Sequence, residues 1–246
     1  MRLFSSLIIG ISLIIGLYLA GQKVGEGTAR FRADNRSLTV KGLAEQPVKS
    51  DQAEWRIGFR RAGNDLSEAQ NQIAADKKTV MAFLLKQGFK AEEIKQPPTR
   101  TIDKLANEYG GQNEEKVRFI LMGQLQLTTS NVDLVQSSVE NLDALQASGI
   151  LLDVSQDNGA NPRYVLTKFN EELRPQLLAN ATKNARLTAE QFAGQLDVKI
   201  GKLRNANQGV IQIFGANGQD ESGGYSASSS MEKKLRVVST FEFDLK

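Results

Sequence analysis

The sequence predicts an α+β protein: antiparallel sheet with helices packed on one face, in the order ββαββαββαββ, preceded by an N-terminal transmembrane helix. Three observations predict it. Several short segments alternate apolar and polar residues, as Ala53, Trp55, Ile57 and Phe59 do with Glu54, Arg56, Gly58 and Arg60. That is the pattern of a strand with one dry face. The stretch Glu171–Gly201 sets Leu173, Leu177, Ala181, Ala185, Thr188, Phe192 and Leu196 at steps of three and four, one stripe of an α-helix. Leu3 to Gln22 carries no charge, and about 20 residues at about 1.5 Å each span a bilayer core.

Residues 1–22 are read as an uncleaved membrane anchor, with a cleavable signal peptide as the alternative. Ala20 and Gly21 are small enough for a cut site, but Tyr18 stands where that site takes a small residue. Residues 23–36 are polar and contain glycine, a linker. Residues 37–246 form the folded body. Only Arg2 precedes the apolar span, whereas Lys23, Arg30, Arg32 and Arg36 follow it. Taken alone, that charge bias would leave the body in the cytoplasm.

Within the body, Leu38, Val40 and Gly42 mark a first strand, Glu45–Asp51 a turn with Pro47, and Ala53–Arg60 a second strand. Asn64 or Asp65 caps a helix whose stripe is Leu66, Ala69, Ile73, Val80, Phe83 and Leu84, and Gly88 ends it. Pro97-Pro98 breaks the chain before a strand over Thr99–Tyr109 and a turn at Gly110–Asn113. Val117, Phe119, Leu121, Gly123, Leu125 and Leu127 form the clearest strand. Ser130 or Asn131 caps a second helix, buried through Val132, Val135, Val139, Leu142 and Leu145 and closed by Ser148-Gly149. Ile150–Val154 is apolar, Asp157-Asn158-Gly159 a turn, and Tyr164–Lys168 a strand leading into the long helix. Val198–Phe214 is extended, Gly215–Ser230 reads as a mobile loop, and Leu235–Leu245 alternates as the last strand.

Composition excludes more than it assigns. The chain has no histidine and no cysteine, which rules out within it a thiolate nucleophile, a disulfide, a Ser-His-Asp triad and any His-containing zinc site. A formal net charge of +3, with no clustered patch, gives no reason to expect nucleic acid. The carboxylate pairs Glu92-Glu93, Glu114-Glu115, Glu171-Glu172 and Asp220-Glu221 are sequence neighbours that point apart into water. Asp153, Asp157 and Gly159 lack the alternating acids of a calcium loop, and Gly201-Lys202 lacks the rest of a phosphate loop. Asn180-Ala181-Thr182 is a glycosylation triplet placed inside a helix. Lys233, Lys234 and Arg236 with Arg56, Arg60 and Arg61 could form a basic strip or simply guard strand edges. Trp55 shares a face with Ile57 and Phe59 and reads as core. No catalytic, cofactor-binding or metal-binding residue is assigned.

The pair SLTVKGLAEQPVKSDQAEWRIGF, with Val40, Gly42, Asp51 and Ala53, and the Ala-rich helix LLANATKNARLTAEQFAGQLDVKIGKL, with Gly194 and Gly201 at its join to a strand, resemble the SIMPL-domain family. The likeness spans Ser37–Leu245. Ser50 and Ala44 stand where relatives often have Pro and a second Gly. The resemblance implies an exported α+β envelope protein, often oligomeric, with no catalytic residues to carry over. Some relatives are linked to oxidative stress tolerance, and at least one forms a ring-like, channel-resembling assembly. It also implies that the body lies in the periplasm on an inner-membrane, single-pass anchor, with cleavage and periplasmic release as the alternative. This implication outweighs the charge bias. The expected function is therefore a non-enzymatic, self-assembling envelope protein. The alternative is a periplasmic binding module for a small molecule, peptide or envelope polymer, with the Gly215–Ser230 loop as a lid. A carboxylate- or lysine-based enzyme ranks below both, because general acid–base work most often uses histidine.

Overall fold

The computed structural model describes residues 14–25, 36–106, 117–153, 161–215, 218 and 230–246. Helix α1 covers residues 14–25. Strands β1 (Ser37–Lys49) and β2 (Gln52–Gly63), helix α2 (Leu66–Gln87) and strands β3 (Ile94–Lys95), β4 (Arg100–Asp103) and β5 (Phe119–Thr129) follow. Helices α3 (Val132–Val139) and α4 (Asp143–Ala147) precede β6 (Leu151–Leu152), β7 (Arg163–Val165) and α5 (Arg174–Gln195). Strands β8 (Ile200–Asn207), β9 (Ile211–Gly215) and β10 (Glu232–Leu245) close the chain. The class is the α+β expected, but the order ββαββαββαββ does not hold: the body reads ββαβββααββαβββ.

Two compact units are present. One comprises Met1–Ala44, Leu178–Val210 and Val237–Lys246, the other Glu45–Leu177 and Ile211–Arg236. In the larger unit β2 and β5 pair antiparallel from Ala53↔Thr129 to Gly63↔Phe119. β3 and β4 add to β5, and β6 and β7 to β2. The odd residues of β2, Ala53, Trp55, Ile57 and Phe59, are buried with Leu121, Leu125 and Leu127 of β5 and with Ile73, Val80 and Leu84 of α2. Alternation at period two is thus read correctly as a dry sheet face under a helix. Gly123 stands opposite Phe59, and a Cβ there would lie 2.7 Å from the ring's Cζ. The glycine lets the aromatic ring lie across the strand.

Helix α2 starts at Asp65, whose carboxylate accepts the Glu68 N–H at 2.9 Å. It ends at Gly88 in the left-handed region, φ 106°, where a β-carbon would be strained. Asn64, the other candidate cap, instead accepts the Arg118 N–H at 2.9 Å. The second expected helix is broken. Ser138 Oγ donates to the Leu134 carbonyl at 2.6 Å, Ser137 Oγ to the same carbonyl at 3.0 Å, and Asn141 Nδ2 to the Ser137 carbonyl at 3.1 Å. Side-chain donors crowd the carbonyls of the last turn, so the helix stops and restarts at Asp143. Leu142 and Leu145 stay buried across the break.

The smaller unit packs Ala185 and Ala189 of α5 on Val40, Phe241 and Phe243. The buried stripe of α5 is Leu177, Ala181, Ala185, Ala189 and Ala193, not the expected run through Thr188, Phe192 and Leu196. A strict step of four turns the contact line about 40° per step around a 3.6-residue helix. Phe192 and Leu196 are left beside it, 50% and 65% exposed. The helix ends with Asp197 at φ 52° and the Val198 N–H on the Ala193 carbonyl at 3.0 Å. This is the bond pattern of a Schellman stop, formed on an aspartate rather than on Gly194.

Other expectations need correction. Pro47, placed in a turn, lies exposed within β1, and β1 ends its sheet, where a missing N–H costs nothing. The Val198–Phe214 segment splits into β8 and β9, because Gly209 crosses the Val238 backbone too closely for any β-carbon. The Thr99–Tyr109 strand shortens to β4, followed by a 3₁₀ turn at Lys104–Ala106. Helix α1 runs three residues into the expected linker, helped by Gln22 Nε2 donating to Tyr18 Oη one turn back at 3.1 Å. Among the described residues no helix is long and apolar enough to cross a membrane. Residues 1–13 of the expected anchor, residues 26–35 of the linker, the turns at 110–113 and 157–159 and most of the 215–230 loop lie outside the described residues.

Candidate functional site

The residues that carry the resemblance have structural work. Val40 is buried under α5. A Cβ on Gly42 would lie 2.8 Å from Ala185 Cβ and 3.0 Å from the Ala181 carbonyl carbon, and closer still to its oxygen. Gly42 and the alanines together bring helix and strand into backbone contact, and Asn184 Nδ2 donates to the Leu43 carbonyl at 2.9 Å beside them. Asp51 Oδ1 accepts the Thr167 N–H at 2.7 Å, and its Oδ2 accepts the Thr167 hydroxyl at 2.9 Å and the Lys168 N–H at 3.2 Å. One carboxylate therefore caps the π-helical turn Phe169–Leu173 that leads into α5. Ala53 has no exposed surface. Gly201 passes 2.9 Å, as a would-be Cβ, from Asp244 Cβ, whereas Gly194 faces open space.

The basic strip does not form. Arg61 Nε and Nη2 donate to Asp76 at 2.5 and 2.7 Å, and Nη2 also reaches the Gly149 carbonyl at 3.1 Å. Arg60 pairs with Asp153 at 2.6 Å. Lys234 and Arg236 lie 3.7 and 3.5 Å from Glu45, and Lys233 is buried. The Asp76 hydrogen bonds raise the Arg61 guanidinium above its ordinary range against a smaller opposing effect of burial. Arg118 forks onto Asp103 at 2.9 to 3.2 Å and holds that partly exposed carboxylate below the usual carboxylate range. Of the carboxylate pairs, Glu93 accepts the Thr129 hydroxyl at 2.6 Å and the Lys90 N–H at 2.9 Å. Glu172 meets Lys168 at 3.5 Å, and residues 114–115 and 220–221 lie outside the described residues. Asp153 is likewise engaged by Arg60, and residues 157 and 159 lie outside the described residues. Ala181, the centre of the glycosylation triplet, is buried within α5. Among the described residues no three His, Cys, Asp or Glu side chains converge as metal ligands.

Tyr164 is the most buried phenol described, 1% exposed, and donates to Gln136 Oε1 at 2.8 Å. Burial, and secondly the charge of Asp133, push its pKa above the ordinary tyrosine value. A folded-state pKa above the unfolded one means stability that is present below the unfolded value and lost as pH rises through the folded one. In an ultraviolet titration Tyr164 should ionise late, above the ordinary tyrosine value, together with alkaline unfolding. Tyr164→Phe should remove that late step and cost about 1 kcal/mol at neutral pH by leaving Gln136 unpaired. A late step that persists in the variant would contradict this assignment.

One surface open to contact with other molecules lies on the smaller unit. β8 pairs with β10 along one edge, and no described strand pairs with its other edge. Residues 202–207 are exposed. Leu203 stands opposite the buried Phe243 but is 49% exposed. Arg204 reaches Asp244 at 2.8 Å and Glu242 at 3.8 Å. Phe192 and Leu196 of α5 are among the other exposed apolar side chains of this unit. Sequence reading placed Phe192 and Leu196 in the core. The competing row Ala185, Ala189, Ala193 was the signal that they are not.

The chain matches the family model described as SIMPL, a protein of unknown function (DUF541), over residues 38–240. It belongs to the SIMPL family. The SIMPL match begins within β1 and ends within β10, so it takes in both sheets and helices α2 to α5. No curated protein matches the chain. SIMPL membership assigns the body no activity.

Proposed function

We propose that the chain is a membrane-anchored, exported envelope protein that assembles with copies of itself and catalyses no reaction. The observation that carries self-assembly is the edge of β8 that no described strand pairs with, with Leu203 half exposed upon it. An unpaired strand edge offers a row of backbone donors and acceptors to another chain, and Leu203, Phe192 and Leu196 add apolar area for a second copy to cover. The uncharged run from Leu3 to Gln22 supports the anchor. The periplasmic placement, and a role in envelope or oxidative stress, rest on the family likeness. The lack of His and Cys supports a non-catalytic role, and the most buried described carboxylates, Asp76 and Asp153, are each held by an arginine.

Light scattering of the full chain in neutral detergent should give a particle of several copies. Leu203→Lys should shift it toward the single chain while leaving circular dichroism unchanged. A wild-type particle of one chain at all micromolar concentrations would end the proposal. An assembly indifferent to Leu203→Lys would move the contact away from β8. Protease digestion of intact spheroplasts should degrade the body and so place it outside the inner membrane.

A further inference from the structure

The outward face of α2 carries a groove that the sequence does not advertise. Its cavity is about 450 Å³, within the range of small-ligand sites. Ala74, Lys77, Lys78, Met81, Ala82 and Leu85 line it along the helix, with Gln96 on the facing segment. The lining is asymmetric. Its first half along the helix holds Ala74 and the two lysines, Lys77 and Lys78. One turn further on the walls are Met81, Ala82 and Leu85, with Leu85 45% exposed. From Lys77 to Leu85 the helix advances about 12 Å. Lys77 is fixed by donating to the Pro97 carbonyl at 3.1 Å, and an ammonium has three donors, so it retains hydrogen-bonding capacity for an anion. No aromatic platform and no acidic side chain belongs to the lining.

We propose that this groove binds a single-chain anionic amphiphile, its carboxylate on Lys77 and Lys78 and its aliphatic chain along Met81, Ala82 and Leu85. The site does not depend on self-assembly through β8. Charge at one end and aliphatic walls at the other match the polarity of a fatty carboxylate. A cationic amphiphile would set like charges together. An amphipathic peptide would need a longer trough and polar partners for its backbone ends.

Methionine-methyl NMR tests the proposal directly, because the chain has four methionines, Met1, Met81, Met122 and Met231, and of the three described ones Met81 alone lines the groove. The full chain is placed in nanodiscs of zwitterionic lipid and titrated with dodecanoate below its micelle-forming concentration. The Met81 signal should shift saturably while Met122 and Met231 stay in place. Dodecyltrimethylammonium should require about tenfold more, and Lys78→Gln should weaken dodecanoate binding by about tenfold. Ala82→Gln, which fills the groove, should abolish the shift. The unmoved Met122 and Met231 signals verify that both variants fold. No saturable Met81 shift, or equal binding of the cation, overturns the proposal. So does a Met81 shift produced merely by adding anionic phospholipid to the disc, which would make the groove a bilayer contact.

Discussion

Gly42→Ala is expected to destabilise the protein by about 3 kcal/mol or more, although it adds one methyl group. Overpacking usually costs about 1–3 kcal/mol because neighbouring side chains can shift. Here the nearest obstacle is the Ala181 backbone carbonyl within α5, with Ala185 Cβ at 2.8 Å behind it. A carbonyl in the middle of a helix cannot rotate away without breaking that helix. The gain of about 0.4–1 kcal/mol from a stiffer unfolded chain is too small to offset this. Gly194→Ala is the control. It lies inside the same helix, its new methyl would meet nothing within 4 Å, and the higher helix propensity of alanine should make it neutral or stabilising by up to about 1 kcal/mol. In denaturant melts the midpoint should fall for Gly42→Ala and hold or rise for Gly194→Ala. A Gly42→Ala protein as stable as wild type would mean that α5 does not lie on β1.

Asp76→Ala should have an effect of similar size for a different reason. The Asp76 side chain is 8% exposed and that of Arg61 30%. Removing the carboxylate leaves the guanidinium half withdrawn from water with only the Gly149 carbonyl for company. Breaking a buried pair on one side costs about 3–5 kcal/mol, and the partial exposure of Arg61 argues for the lower end. The double variant Arg61→Met/Asp76→Leu should recover most of the loss, since well-packed apolar side chains replace a buried pair at little cost. Chemical denaturation of both single variants and the double closes the cycle. A loss below about 1 kcal/mol for Asp76→Ala would put the pair among ordinary surface salt bridges.

Asp76 also shows where sequence reading stops. The stripe Ala69, Ile73, Val80, Leu84 was legible from apolar spacing, and the structure buries all four. Asp76 occupies the gap in that stripe and is buried with them, yet a periodicity of apolar residues passes over a carboxylate. Its partner Arg61 continues the dry face of Trp55, Ile57 and Phe59, so the pair was implied by two patterns that meet only in three dimensions. The strands were read from their alternation, whereas the two-residue strands β3 and β6 are too short to alternate. The Ala-rich row of α5 lost to larger side chains, because transfer free energy ranks Phe192 above Ala189 and says nothing of how closely two backbones approach. The candidate surfaces were not legible at all. An open β8 edge is a property of sheet order, and the groove on α2 is made of residues that read individually as solvent-facing.

The sheet of the smaller unit has the order β1-β10-β8, so the earliest strand of the body finds its neighbour only in the last. Contacts of such sequence separation are slow to form. While the chain is being synthesised, β1 has no partner to hold, and the helix that must settle on Gly42 has no finished surface to meet. This unit therefore completes its sheet only once β10 has been made. Until then Val40, Ala185 and Ala189 have no finished core to enter, because Phe241 and Phe243 of β10 complete it.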